Sequence, residues 1–231
     1  MLWALERLAA GLAVGLFASA ATPARAAEVE RVVAVVRSPA APEPRVLTLG
    51  EVEEEARIAL VSRGAVLAAS RPLDAPAMEA GLEWLIDQVL LDAEATRLQV
   101  FEIERGEVLA ELARFKEQFA READFQALLV RCDMTEGDLE EVLRRMLRVR
   151  RYLESRVSHA GQVSEADVSA FMAAHPADAQ ARDREQARAR LGQERMEQEA
   201  TSLVQEVRGR AEIRLLADPK ALATPDWPEG T

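Results

Sequence analysis

The sequence predicts a mainly α, multi-helix domain with a small antiparallel β-sheet joining strands from the two ends of the chain. Three observations carry this. Alanine, leucine, glutamate and arginine dominate, all strong helix formers. Helix-start signatures of one kind recur along the chain. Short β-branched or alternating runs occur only near the beginning and the end.

Residues 1–26 stand apart from the fold. Arg7 closes a short basic region, LAAGLAVGLFASA is an apolar run, and Ala24-Arg25-Ala26 is an A-x-A site. The run is too short to span a bilayer comfortably, which takes ~20 apolar residues. Export and cleavage before Ala27 are expected, with no stable membrane insertion afterwards.

Arg31–Val36, RVVAVV, reads as a strand, and Arg45–Thr48, RVLT, as its hairpin partner across the proline-rich SPAAPEP. Thr48-Leu49-Gly50-Glu51 then forms a capping box, in which Thr48 accepts a first-turn amide and Glu51 reaches back. Thr135 with Asp138 and Ser164 with Asp167 repeat the box. Asp74 caps a further start, with Pro76 tolerated in the first turn.

Leu82, Leu85, Ile86, Val89, Leu90 and Ala93 share one face of a helix ending near Leu98. Val108, Leu112, Phe115 and Phe119 step along another. Leu139, Val142, Leu143, Met146, Leu147 and Leu153 mark a long helix with an Arg-rich opposite face. Val168, Phe171 and Met172 mark a short one that Pro176 ends.

From Arg182 to about Gly209 a charged helix follows, striped by Leu191, Met196, Ala200, Leu203 and Val207. Arg190/Glu194 and Arg195/Glu199 are spaced as solvated i,i+4 pairs, and Gly192 weakens the helix by ~1 kcal/mol. Residues 211–216 alternate like a strand whose available partners are RVVAVV and RVLT. The domain is expected over 27–217, and a disordered tail from 218 to 231.

Charge and composition exclude several function classes. With 29 Lys+Arg against 40 Asp+Glu the formal net charge is −11, and removal of Glu6, Arg7 and Arg25 leaves −12. Such a chain does not track a phosphate backbone, so no nucleic-acid partner is expected. Cys132 is the single cysteine and reads as a small buried side chain. Aromatic content of 4% disfavours sugar- or base-stacking platforms.

No nucleophile elbow, phosphate loop or paired-cysteine motif occurs. With two histidines and one cysteine, neither a metal centre nor a catalytic residue is expected. His175 reads as a helix C-terminal residue meeting the last carbonyls, and His159 as a polar linker residue. Glu51, Glu53, Glu54 and Glu55 point round a helix and read as a solvated face. Arg144, Arg145, Arg148, Arg150 and Arg151 can pair with acidic helices of the domain or with partner carboxylates.

Met134, Met146, Met172 and Met196, with Phe115, Phe119, Phe125 and Phe171, lie on or beside helical stripes. A helical domain must bury such a stripe to fold. Flexible thioethers also suit surfaces that accept varied partners. Candidate peptide-binding residues are Phe119, Met172, Met196, Phe115, Met146 and Phe171.

The order of these segments resembles the SurA-like periplasmic chaperones. RVVAVV leading into VLTLGEVEEEARIAL is similar to that family's opening strand pair and first helix. Glu83–Ala95, EWLIDQVLLDAEA, followed by RLQV, resembles its "LID…LL..EA.RLGI" helix, with Gln99 in the place of the usual glycine. CDMTEGDL is similar to its "GMS.ED", and VSEADVSAFMAAHP to its "VSE.EV..YY..HP".

The resemblance implies an ATP-independent holdase that binds unfolded envelope or outer-membrane polypeptides, without a cofactor and with a homodimer possible. In many relatives a parvulin prolyl isomerase follows "HP"; here AAHPADAQ leads almost at once into the charged helix. A module of on the order of 100 residues has no room there, so no isomerase activity is expected. The alternatives are a non-catalytic adaptor for one envelope partner and a residual prolyl isomerase.

Overall fold

The computed structural model describes residues 31–99, 102–175 and 183–222, and the molecule is mainly helical with a small three-stranded sheet. The expected leader, the seam from Pro176 to Arg182 and the chain beyond Leu222 lie outside the described residues. The strands are β1 (Val32–Arg37), β2 (Arg45–Thr48) and β3 (Glu212–Leu215). The helices are α1 (Leu49–Ser62), α2 (Val66–Ala69), α3 (Ala75–Leu98), α4 (Arg105–Lys116), α5 (Glu122–Arg131), α6 (Glu136–Val157), α7 (Glu165–Ala174) and α8 (Arg184–Arg210).

The helices start where side chains can satisfy free first-turn amides. Thr48 Oγ1 accepts from the Glu51 amide at 3.3 Å while Glu51 Oε2 accepts from the Thr48 amide at 3.2 Å. The same reciprocal pair forms at Thr135/Asp138 and Ser164/Asp167. Asp74 accepts from the Ala77 amide at 2.9 Å, with Pro76 in the first turn of α3. Gln99 ends α3 in the left-handed region, φ 53°, and Asp133 does so between α5 and α6 at φ 47°. Glycine suits that conformation best, which gives a physical reason for a glycine at this position in the motif that Gln99 departs from.

The sheet order is β2-β1-β3, antiparallel throughout, with Val35 opposite both Val46 and Arg214. The last described strand therefore pairs with the first. Three apolar clusters fill the molecule. The first joins the inner sheet face to α3, the C-terminal half of α6 and the C-terminal half of α8, through Val36, Leu47, Leu85, Leu90, Tyr152, Leu203 and Val207. The second gathers Ile58 and Val61 of α1 with Leu112, Phe115, Phe125, Leu129, Leu139 and Leu143. A third and smaller one holds α7 to the start of α8 through Val168, Phe171 and Ala187.

Four expectations need correction. The apolar step from Phe115 to Phe119 leaves the helix, because α4 ends at Lys116 and Phe119 lies in the turn beyond. Arg195 reaches across to Asp167 at 2.9 Å, on α7, where an intrahelical pair with Glu199 was expected. Gly192 does more than weaken α8: a Cβ there would lie 3.1 Å from the Gly161 carbonyl oxygen, so its absence lets α8 meet that loop. The first residues of the expected tail are structured, since Pro219–Ala221 form a 3₁₀ turn and Leu222, 1% exposed, packs in the first core.

The tightest crossing lies between α1 and α3. A Cβ on Gly81 would stand 2.6 Å from the Ala56 Cβ, with the Val52 carbonyl at 3.4 Å. Gly81→Ala forces two backbones apart and is expected to cost about 1–3 kcal/mol in chemical denaturation. Gly106→Ala, in the first turn of α4 where a Cβ would meet nothing within 4 Å, is expected to be neutral or to stabilise by up to ~1 kcal/mol.

Candidate functional site

A cleft with a mainly apolar lining opens between α2 and the α4–α5 corner, with a volume of about 550 Å³. Val66 and Leu67 form one wall, Ala127 and Leu128 the other, and Phe119 the floor. Gln118, Arg121, Asp124 and Arg131 supply polar groups to its lining. Leu67 is 76% exposed. Val130, one residue before Arg131, is 79% exposed. Leu67 is an apolar lining residue that a bound apolar group would remove from water.

Phe119 is braced by a cluster of three rings. Its centroid lies 5.8 Å from Phe115 and 5.7 Å from Phe125, both buried, in tilted and edge-to-face geometry. Lys116 Nζ sits 4.9 Å above the Phe125 ring and pairs with Glu136 at 2.8 Å, tying the corner to the start of α6.

The α2 wall is only four residues long and has no side-chain cap. Two arginines position it. Buried Arg57, on α1, donates to the carbonyls of Ala69 and Arg71, the second at 2.8 Å, and pairs with Glu53 at 2.6 Å. Arg131, on α5, donates to the Ser70 carbonyl between them. The last carbonyls of a short helix are thus held by cations from both sides. On the rim, Arg121 and Asp124 form a two-point pair at 3.0 and 2.6 Å.

The six residues nominated from the sequence do not form one surface. Phe119 lines the cleft; Phe115 is buried beneath it, and Met146 is half-buried on the same core. Phe171 and Met172 pack between α7 and α8, and Met196 is exposed, close over Gly161. Sequence reasoning missed Val66, Leu67, Leu128, Arg57 and Arg131. The one available signal was the run AVLAA between Gly64 and Pro72, too short to show a period.

His175 ends α7, its Nδ1–H donating to the Phe171 carbonyl at 2.9 Å with the imidazole stacked on the Phe171 ring at 4.4 Å. Cys132 is buried, and desolvation pushes its thiol up to about 12, so it is unreactive at neutral pH. Among the described residues no group of three or more His, Cys, Asp or Glu could hold a metal ion, and no helix is long and apolar enough to cross a membrane.

The basic face of α6 pairs with carboxylates of the domain. Arg148 meets Asp92 at 2.7 Å, Arg150 meets Glu111 at 3.4 Å, and Arg151 pairs with Glu107. Arg145 pairs with Glu55, which overturns the reading of the α1 glutamates as a solvated face: Glu55 is 5% exposed. On α1 it falls between Val52 of the first core and Ile58 of the second, and Arg145 on α6 falls likewise between Val149 and Leu143. Among the described residues Glu55 Oε2, Arg145 Nε and Gln88 Oε1 are buried without a hydrogen-bond partner.

Burial lifts the Glu55 carboxyl above its ordinary value, against the opposing pull of Arg145. A carboxyl with a raised folded-state pKa adds stability as the pH falls through that value and withdraws it as the pH rises. Glu55→Gln, fixed in the neutral form, is expected at pH 7 to be at least as stable as the wild type, the difference closing on acidification. Arg145→Met leaves the carboxylate buried and unpaired and is expected to cost about 3–5 kcal/mol at neutral pH. Urea denaturation of both variants between about pH 4 and 8 measures this asymmetry. No protein-family model, curated protein or solved structure matches the chain, so any functional reading stands on these residues alone.

Proposed function

We propose that this protein is an exported, ATP-independent holdase that captures extended apolar segments of unfolded envelope polypeptides. The observation that carries the reading is the α2/α5 cleft, lined by Phe119 of a packed ring cluster, by the aliphatic Val66, Leu67 and Leu128, and by the charged Arg121, Asp124 and Arg131. Its exposed Leu67 gains from being covered by an apolar side chain of a client. The rim pair of Arg121 with Asp124 satisfies its own charges, so the cleft does not depend on a client to neutralise it. Capture by a few apolar contacts is reversible and needs no nucleotide, because binding itself supplies the free energy. The apolar leader and its A-x-A site support export, and the order of strand and helix motifs, which resembles that of SurA-like chaperones, fits the same activity.

The test is light scattering of an aggregating outer-membrane protein with the purified protein in several-fold excess. Suppression of scattering is expected. Leu67→Glu is expected to raise the dissociation constant for an apolar peptide about ten-fold or more, with unchanged thermal unfolding because the side chain is exposed. Unchanged scattering with the wild type, or full suppression by Leu67→Glu, overturns the proposal. So does a stoichiometric complex with one folded partner and no general effect, which identifies an adaptor. Acceleration of X-Pro isomerisation in a test peptide overturns the non-enzymatic reading.

A further inference from the structure

Antiparallel pairing to β1 occupies only one side of β3. The Leu216 amide donates to the Val33 carbonyl at 2.8 Å, and Val35 stands opposite Arg214. In an antiparallel ladder the hydrogen-bonded positions alternate, so Glu212, Arg214 and Leu216 address β1 while Ile213 and Leu215 turn their amides and carbonyls outward. Among the described residues no other backbone group meets those outward positions. Beside this open edge Leu215 is 46% and Leu216 59% exposed.

We propose that β3 pairs with β3 of a second copy of this chain, about a two-fold axis through Ile213, to give a continuous six-stranded sheet. The argument is charge complementarity. Edge strands are commonly protected by charges that repel a second copy, but β3 carries one charge of each sign, two residues apart. An axis at Ile213 sets Glu212 of one copy opposite Arg214 of the other, twice by symmetry. It also makes Ile213 a position that exchanges both backbone bonds with its counterpart. An axis at Glu212 or Arg214 sets like charges face to face, so charge selects the register.

Within one copy Arg214 pairs with Glu212 along the strand, and Arg37 lies 3.7 Å from Glu212 across the sheet. These contacts are exposed and contribute little, so exchanging them across the axis is inexpensive. The other edge, β2, carries Arg45 without an acidic residue on the strand and has no such self-complementarity. A pairing this short places the dimer at the weak end of specific association.

Sedimentation of the purified protein over a concentration series tests the proposal. A concentration-dependent dimer is expected. Glu212→Arg and Arg214→Glu, each alone, set like charges opposite one another and are expected to weaken it on the order of ten-fold. The double reversal E212R/R214E restores opposite charges and is expected to restore dimerisation. Thermal unfolding of all three variants serves as the check on folding, since both side chains are exposed. A wild type that stays monomeric throughout overturns the proposal, as does a dimer indifferent to the single reversals or not rescued by the double one.

Discussion

Backbone pairing between β1 and β3 joins the first described strand to the last, and the layout of the domain depends on it. For β3 to reach β1, α8 must cross the body, and its C-terminal half is fastened there by ion pairs to α3. Arg208 meets Glu83 at 2.7 Å and also Asp87, and Arg210 meets Glu94 at 3.1 Å. The N-terminal half of the same helix holds α7 through the third small core. One continuous helix thereby packs against both the body and α7.

Within the body, α1 and α6 each serve two apolar cores, and the Glu55–Arg145 pair marks the boundary between them. A buried pair of this kind contributes little net stability, since desolvation offsets the attraction, but it penalises arrangements that separate its partners. From the same helix α1, Arg57 reaches to the carbonyls of Ala69 and Arg71 at the end of α2 and so ties the cleft wall to the body.

The parts legible in the sequence are those that local chemistry determines. Thr48, Asp74, Thr135 and Ser164 announce helix starts because a capping side chain and its amide lie within three residues. The closing strand was legible because an alternating run needs a partner and few were available. What stayed hidden depends on tertiary geometry. Glu55 resembles the half-buried glutamates beside it until a cation arrives from ninety residues away. Gly81 looks like a weak point in α3 until Ala56 is found against it. The wall α2 is too short for periodicity, and four of the apolar residues nominated for binding, Phe115, Met146, Phe171 and Met172, pack in or against cores.

The proposed client site is defined by three features acting together: a packed ring cluster, a short wall held by two arginines, and the exposed Leu67 in the lining. Their combined prediction is spatial. Hydrogen exchange followed by mass spectrometry, with and without an unfolded apolar client, reads it directly. Slowed exchange across residues 66–70 and 118–131, with the β-sheet and α3 unchanged, is the result the proposal predicts. Protection confined to α7 and α8, or none anywhere while the client is bound, would contradict it.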